Sequence, residues 1–356
     1  KFPVLVAILA VVAAACGGAS DTGGEGGGEG GATETAAACT SPIKVGIAYD
    51  IGGLGDKSFN DAAKAGLDKA VADGLVCAEN TIVNEADATG SNRTANVQAL
   101  ADAGMDLVIG VGFAFSEDIA TSIAPDYPDT NFMVVDGYSF FVQENPNVAD
   151  YVFKEQEGSF LVGAAAALKC GCDTIGFLGG QTGYLIGKFE AGYVAGAKAV
   201  NPDINVLVKY IGDTTAAFND PVNGEALSNA MYDDGAAVVY HASGASGAGL
   251  FNAAVSQGKW AIGVDSDQYL TASAEQQPWI LTSMIKRVDT AVYQAIQETL
   301  DGTFTAGQQV FGMAEDGVGY STANAELTAD IVEQLEAYRE QIVSGEIVVP
   351  DAPESA

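Results

Sequence analysis

Aromatic rings, carboxylates, an amide and a lysine recur along this sequence just beyond short apolar runs. Asp50 closes one such run, and Asp56, Phe59 and Asn60 follow within "GGLGDKSFND", residues 52–61. Phe113, Ser116 and Asp118 come after another run, and Phe189 opens a later helical pattern. Phe218 and Asn219, then Gly244 and Ser246, then Asp265 and finally Lys286 continue the series. Aromatic faces grip flat rings and sugar faces. Carboxylates take hydroxyl pairs or ring N–H groups through charge-assisted hydrogen bonds. Singly, each residue reads equally well as a helix cap or a core aromatic. Recurring as a set, they point to ligand binding.

Catalysis finds little to use. A hydrolase built on histidine has only His241 as a base, and its place at a strand end reads as a polar lining or structural group. "ASGASGAG" (242–249) fails the spacing of a GxSxG elbow. "GYLIGKF" (183–189) lacks a required glycine of a phosphate loop and carries Phe189 where Ser or Thr belongs. "GVGFAF" (110–115) has no third glycine at dinucleotide spacing. "CGC" (170–172) has no second Cys or His pair at zinc spacing. The expectation is a binding protein rather than an enzyme, with neither metal nor cofactor.

The elements that must position these residues repeat in order. "KVGIAYD" (44–50), "NTIVNEAD" (80–87), "DLVIGVG" (106–112) and "NFMVVDG" (131–137) have strand character. "TIGFLGG" (174–180), "NVLVKYIGD" (205–213), "AAVVYHASG" (236–244) and "WAIGVDSD" (260–267) answer them at offsets of about 125–130 residues. Helical patterns lie between, with "DAAKAGLDKAVADG" (61–74) answered by "FEAGYVAGAKAVNP" (189–202) and "NRTANVQALADAG" (92–104) by "NGEALSNAMYDDG" (223–235). Alternating helices and apolar strands specify parallel sheets covered on both faces. The predicted fold class is α/β, two doubly wound lobes with a ligand cleft beyond the carboxyl ends of their strands. The segments 281–300 and 326–345 read as helices, and 308–321 as an edge strand pair. The expected division is residues 43–150 with 268–303 in lobe 1, and 151–267 with 304–350 in lobe 2.

Charge and the N-terminal segment bound the setting. The 356 residues carry 47 acids against 15 bases, a formal charge of −32, which argues against nucleic acid as a partner. Lys1 precedes the apolar run 2–15, too short to span a bilayer and shaped like a secretory signal. "AAAC" then resembles a bacterial lipobox, so the expectation is a signal peptide (1–15), a lipid on Cys16 and attachment to the membrane through it. The Gly-rich acidic stretch that follows cannot bury a core, and residues 16–42 are expected to form a disordered tether. Four cysteines remain, and export permits disulfides. Cys39–Cys77 is the favoured pair; Cys170 and Cys172 then pair with each other or stay free.

"YDIGGLGDKSFND" (49–61), "KFEAGYVAG" (188–196), "FNDPVNG" (218–224), "GVDSDQ" (263–268) and "TSMIKRVD" (282–289) resemble the signature segments of the basic membrane protein family. These are PnrA-like lipoproteins, substrate-binding components of ABC importers for purine nucleosides, and the resemblance spans about residues 43–345. It implies the type I periplasmic-binding-protein fold, a purine nucleoside ligand, a permease partner and an extracytoplasmic, lipid-anchored monomer. It further implies that Phe59 and Phe218 sandwich the purine and that Asn60 and Asp118 bind the base edge. Asp50, Asp265, Lys286 and the backbone around Gly244 would hold the ribose hydroxyls, with Asp56 in a matching motif; Phe113 and Phe189 join the candidate ligand residues by their position alone. "GGQTGYLIGKFE" (179–190) departs from the family pattern and puts Tyr184 where it would alter the pocket. The same fold binding a sugar or another small polar metabolite is the alternative, and a nucleoside-processing enzyme a further one.

Overall fold

The structure, a computed structural model, describes residues 39–142 and 145–354. The expected signal segment, the lipidated Cys16 and the tether as far as residue 38 lie outside the described residues. Twelve strands are described: β1 (Val45–Tyr49), β2 (Thr81–Glu85), β3 (Leu107–Val111), β4 (Asn131–Val135), β5 (Val148–Phe153), β6 (Thr174–Gln181), β7 (Asn205–Gly212), β8 (Val238–Ala242), β9 (Trp260–Asp265), β10 (Ile280–Lys286), β11 (Gly307–Phe311) and β12 (Val318–Tyr320). They form two six-stranded sheets, ordered β11-β5-β4-β3-β1-β2 and β12-β10-β9-β8-β6-β7. Every pairing is parallel except β10 with β12. β1, β3 and β8 are buried along their whole length, as strands covered by helices on both faces must be.

The four expected helices form at Phe59–Ala72, Arg93–Asp102, Tyr184–Val200 and Pro221–Asp233. The third starts five residues before its expected bound, because Gly183 leads directly into helical backbone at Tyr184. The outcome differs more at the joins between the lobes. The segment 281–300 was expected to be helical throughout, yet its start is β10, and the helix runs from Val288 to Asp301. "ILTSMIK" is almost entirely buried beside β9, and in that setting sheet pairing overrides helical periodicity. β10 therefore belongs to the second sheet, although 268–303 was assigned to lobe 1. Conversely β11, expected in lobe 2, pairs with β5 in the first sheet. The expected edge pair 308–321 is split, one strand to each sheet.

The chain crosses between the lobes three times, after Phe153, after Lys286 and after Phe311. The crossings lie side by side. Lys154 N donates to Phe311 O (3.0 Å), Arg287 N to Gly317 O (2.8 Å) and Met313 N to Glu157 (2.7 Å). After the first crossing the helix Glu155–Cys170 packs backbone to backbone on Tyr184–Val200. A Cβ at Gly192 or Gly196 would collide with the carbonyls of Gln156 and Phe160, so only glycine permits this approach. That contact brings Glu155 and Lys188 together. Cys39 is bonded to Cys77, and Cys170 to Cys172. The first bond fixes the last residues of the expected tether to lobe 1, where Ser41 also donates to Leu75 O (2.6 Å).

Candidate functional site

The loop between β1 and the first helix is built by Asp56. Its carboxylate accepts from the backbone N–H groups of Ser58 (3.0 Å), Asn60 (2.9 Å) and Asp61 (3.1 Å), and from Asn60 Nδ2 (3.1 Å). These donors are helix-start N–H groups that no carbonyl can reach. Asp56 thus lines the cleft, but its oxygens are spent on holding the turn. Burial raises its pKa, against those hydrogen bonds. Asn60 Oδ1 in turn accepts from Asp50 N (3.2 Å). The turn leaves Phe59 half-buried with its ring on the cleft.

Both lobes present residues to one cavity. The first supplies Asp50, Asp56, Phe59, Asn60, Phe113 and Asp136, and the second Leu185, Ile186, Phe189, Phe218, Gly244, Asp265 and Lys286. The space between them, with the open solvent at its mouth included, is about 650 Å³. The lobes touch across it. Ser58 Oγ donates to Asp265 Oδ2 (2.5 Å), Ser266 Oγ to Ser58 O (3.2 Å) and Arg93 to Thr215 Oγ1 (3.2 Å). Phe113 meets Phe218 edge to face with ring centres 6.4 Å apart. Arg93 also binds Asp50 (2.5 Å). Burial raises the Asp50 pKa and Arg93 opposes it.

The polar end is a string of buried charges. Lys286 Nζ lies 2.5 Å from Asp136 Oδ2 and 3.0 Å from Glu155 Oε1, and Lys188 pairs with the other Glu155 oxygen. The ammonium also lies 5.1 Å from the centre of the Phe59 ring, 5.0 Å from Phe153 and 5.5 Å from Phe189. Burial works against this cation, but Asp136, Glu155 and Asp265 together outweigh it and raise its pKa. Burial pushes Asp136 and Asp265 up to about 6, with Lys286 opposing in both. Glu155 goes the other way: burial resists, and the two lysines bring it below the usual carboxylate range. Asp136 and Asp265 both adopt left-handed backbone, with φ of 60° and 65°. Such strain in a non-glycine residue persists where the surroundings over-determine it, and it clusters at ligand sites.

Ten of the eleven candidate ligand residues line this cavity. Asp118 does not: it opens a wide helical turn, Asp118–Ile123, and its carboxylate accepts from Thr94 Oγ1. Tyr184 also stands away, 63% exposed and donating to Asp351 (3.1 Å), while Leu185 and Ile186 take the lining positions. Ser116 serves its own loop, donating to Phe113 O, and Ser246 ties its loop to the one after β7, donating to Ala217 O. His241 is buried, within reach of Ser243 Oγ (3.1 Å) and Gln268 Oε1 (2.9 Å), and burial lowers its pKa to about 4. It does not line the cavity. Sequence reasoning missed Asp136, although a signal was present: it stands in β4's exit as Asp265 stands in β9's, at the offset of the repeat. Glu155 and Lys188 carried no such signal.

Comparison with known proteins agrees with this geometry. Residues 43–353 match the family described as ABC transporter substrate-binding protein PnrA-like. The chain is 33% identical over 323 residues to a CD4+ T-cell-stimulating antigen of Listeria innocua, covering 87% of this chain and 88% of that one. It is 32% identical over 333 residues to the ABC transporter nucleoside-binding protein BmpA of Lactococcus lactis, covering 90% and 92%. A solved solute-binding protein of an ABC transporter system from Aeropyrum pernix superposes with a TM-score of 0.73 at 28% identity, covering 87% and 94%. Its two-lobed architecture is that of type I periplasmic-binding proteins, as the repeat implied. Proteins of this kind bind a small molecule outside the cytoplasm and deliver it to a permease; they are not enzymes. No described helix is long and apolar enough to cross a membrane. The chain belongs to the PnrA-like family of ABC transporter substrate-binding proteins.

Proposed function

We propose that this protein is a lipid-anchored receptor that closes its two lobes on a purine nucleoside and presents it to its permease. The carrying observation is the polarity of the cavity. Phe59 from one lobe and Phe218 from the other face the same space, and a lysine with two aspartates stands at its buried end. Two rings suit a flat base. A carboxylate and an ammonium side by side suit a hydroxyl pair, one accepting and one donating. In this reading Asn60 contacts the base edge. Asp265, Lys286 and the backbone at Gly244 hold the ribose, joined by Asp136, whose buried Oδ1 has no hydrogen-bond partner among the described residues. Asp50, shared with Arg93, is a further ribose contact, and Phe113 and Phe189 flank the rings. The Lactococcus relative, by its description a nucleoside-binding protein, supports the ligand class.

Calorimetry against inosine, guanosine, adenosine and uridine tests the reading. Heat with the purines and little with uridine is expected, and no heat with any of the four would sink it. Mass spectrometry of ligand released from the purified protein separates a nucleoside from a sugar. Anchoring through Cys16 is expected to make the protein partition with membranes. A Cys16→Ser variant that stays equally membrane-bound would overturn that part.

A further inference from the structure

Glu155 and Lys188 do not line the cavity, yet Glu155 pairs with Lys286, which does, and Lys188 pairs with Glu155. Glu155 is fully buried and Lys188 is 11% exposed at its side chain. One Glu155 oxygen takes the Lys286 ammonium and the other takes Lys188, whose Nζ also donates to Phe153 O at the first lobe crossing. Buried charges of this kind stay ionised only when paired and hydrogen-bonded. An ammonium has three N–H donors. Asp136 accepts one of those on Lys286, while Glu155 faces the ammonium at 3.0 Å as an ion pair without a hydrogen bond, so donor capacity remains for the cavity. With three aromatic faces around it, the ammonium has little freedom to take any other position.

We propose that Glu155 and Lys188 are positioning residues that hold the Lys286 ammonium by charge so that a free donor meets a ligand hydroxyl, and thereby make the site selective for ligands with a diol. The inference rests on the nucleoside reading for its choice of probe, but not for its structural content. Removing the Glu155 charge leaves Lys286 balanced by Asp136 and Asp265 alone, both on the cavity side. The ammonium is then drawn towards them and its spare donor is turned to protein carboxylates. The flat base, held by Phe59 and Phe218, loses nothing.

The test compares inosine with 2′,3′-dideoxyinosine, which keeps the base and lacks the diol. Glu155→Gln retains shape and removes charge. It should weaken inosine about tenfold or more, the scale of one hydrogen bond to a charged group, and leave dideoxyinosine within about twofold. Lys188→Met should act in the same direction from the far end of the string. Where either single variant folds poorly, Glu155→Gln/Lys188→Met removes both partners of a buried pair, which proteins tolerate far better than one. The double variant should regain stability without regaining the preference for inosine. A ligand-free measurement runs beside these: the ¹⁵N signal of the Lys286 ammonium, protected from exchange in the native protein, should broaden or vanish in Glu155→Gln. Equal loss for both ligands, or an unchanged ammonium signal, overturns the proposal. If the native protein binds no nucleoside, the reading of the ligand fails, and the ammonium signal alone decides this inference.

Discussion

The two lobes share one strand order and bring a different balance of chemistry to the cleft. The first lobe offers Asp50, Asp56, Asn60 and Asp136, and much of this polarity is already engaged: Asp56 by backbone N–H groups, Asp50 by Arg93, Asn60 by its neighbours. The second lobe offers Leu185, Ile186, Phe189, Phe218 and Val264, with Asp265 and Lys286 as its charged residues. Lys286 is compensated from across the cleft, by Asp136. A repeated topology therefore sets where side chains emerge, and loops decide what they are. Both lobes bring rings and charge to the cavity; the first adds more carboxylates, and the second more apolar side chains and the one cation among the lining residues.

The largest effect should come from breaking the ion pair that joins the lobes. Lys286→Met leaves Asp136 and Glu155 buried without their main cation, and loss of about 3–5 kcal/mol of stability is expected. Chemical denaturation measures it; a loss under about 1 kcal/mol would show that the lobes do not depend on each other there. Next come the rings. Phe59→Ala and Phe218→Ala should each weaken purine nucleoside binding by about 1–3 kcal/mol, the range for base stacking on aromatics. Unchanged affinity in either would remove that lobe from the base site.

A comparable effect, on the order of 3 kcal/mol, concerns Asp265 and has a sign that can be checked. Its folded pKa, about 6, lies above its ordinary value of 3.8, so the folded protein binds this proton more tightly than the unfolded chain. The stability it contributes is present below pH ~4 and is lost as pH rises through about 6. Asp265→Asn does not titrate. Melting temperatures at pH 4 and pH 7 should therefore show the variant gaining on the native protein as pH rises. A variant that instead loses ground to the native protein as pH rises would place Asp265 in a stronger cationic field than Lys286 provides. The smallest effect is expected for Thr215→Val, which removes the Arg93 contact between the lobes and should cost about 0.5–1.5 kcal/mol in closed-state affinity.

Much of the site was legible because it obeys a local rule. A cavity-lining residue in this fold typically follows an apolar strand, and the strand signal is carried by consecutive residues. That is why Asp50, Phe59, Asn60 and Asp265 could be named from their neighbours alone. Asp118 obeyed the same rule and still turned away, because Thr94, far from it in sequence, offers its carboxylate a hydroxyl. The strand β10 was misread for a related reason. Short buried runs look alike as helix or strand, and only the partner strand β9 settles which one forms.

By itself the sequence determined the repeat, the parallel sheets, the cleft at the strand ends and the family, since each is written in local order and periodicity. Tertiary structure alone decided which carboxylates are spent and which are available, that β10 and β11 exchange lobes, and that Glu155 and Lys188 stand behind Lys286. The reason is physical. Burial and charge compensation depend on distances in space, and the contact of two helices through Gly192 and Gly196 places together residues that no spacing along the chain connects.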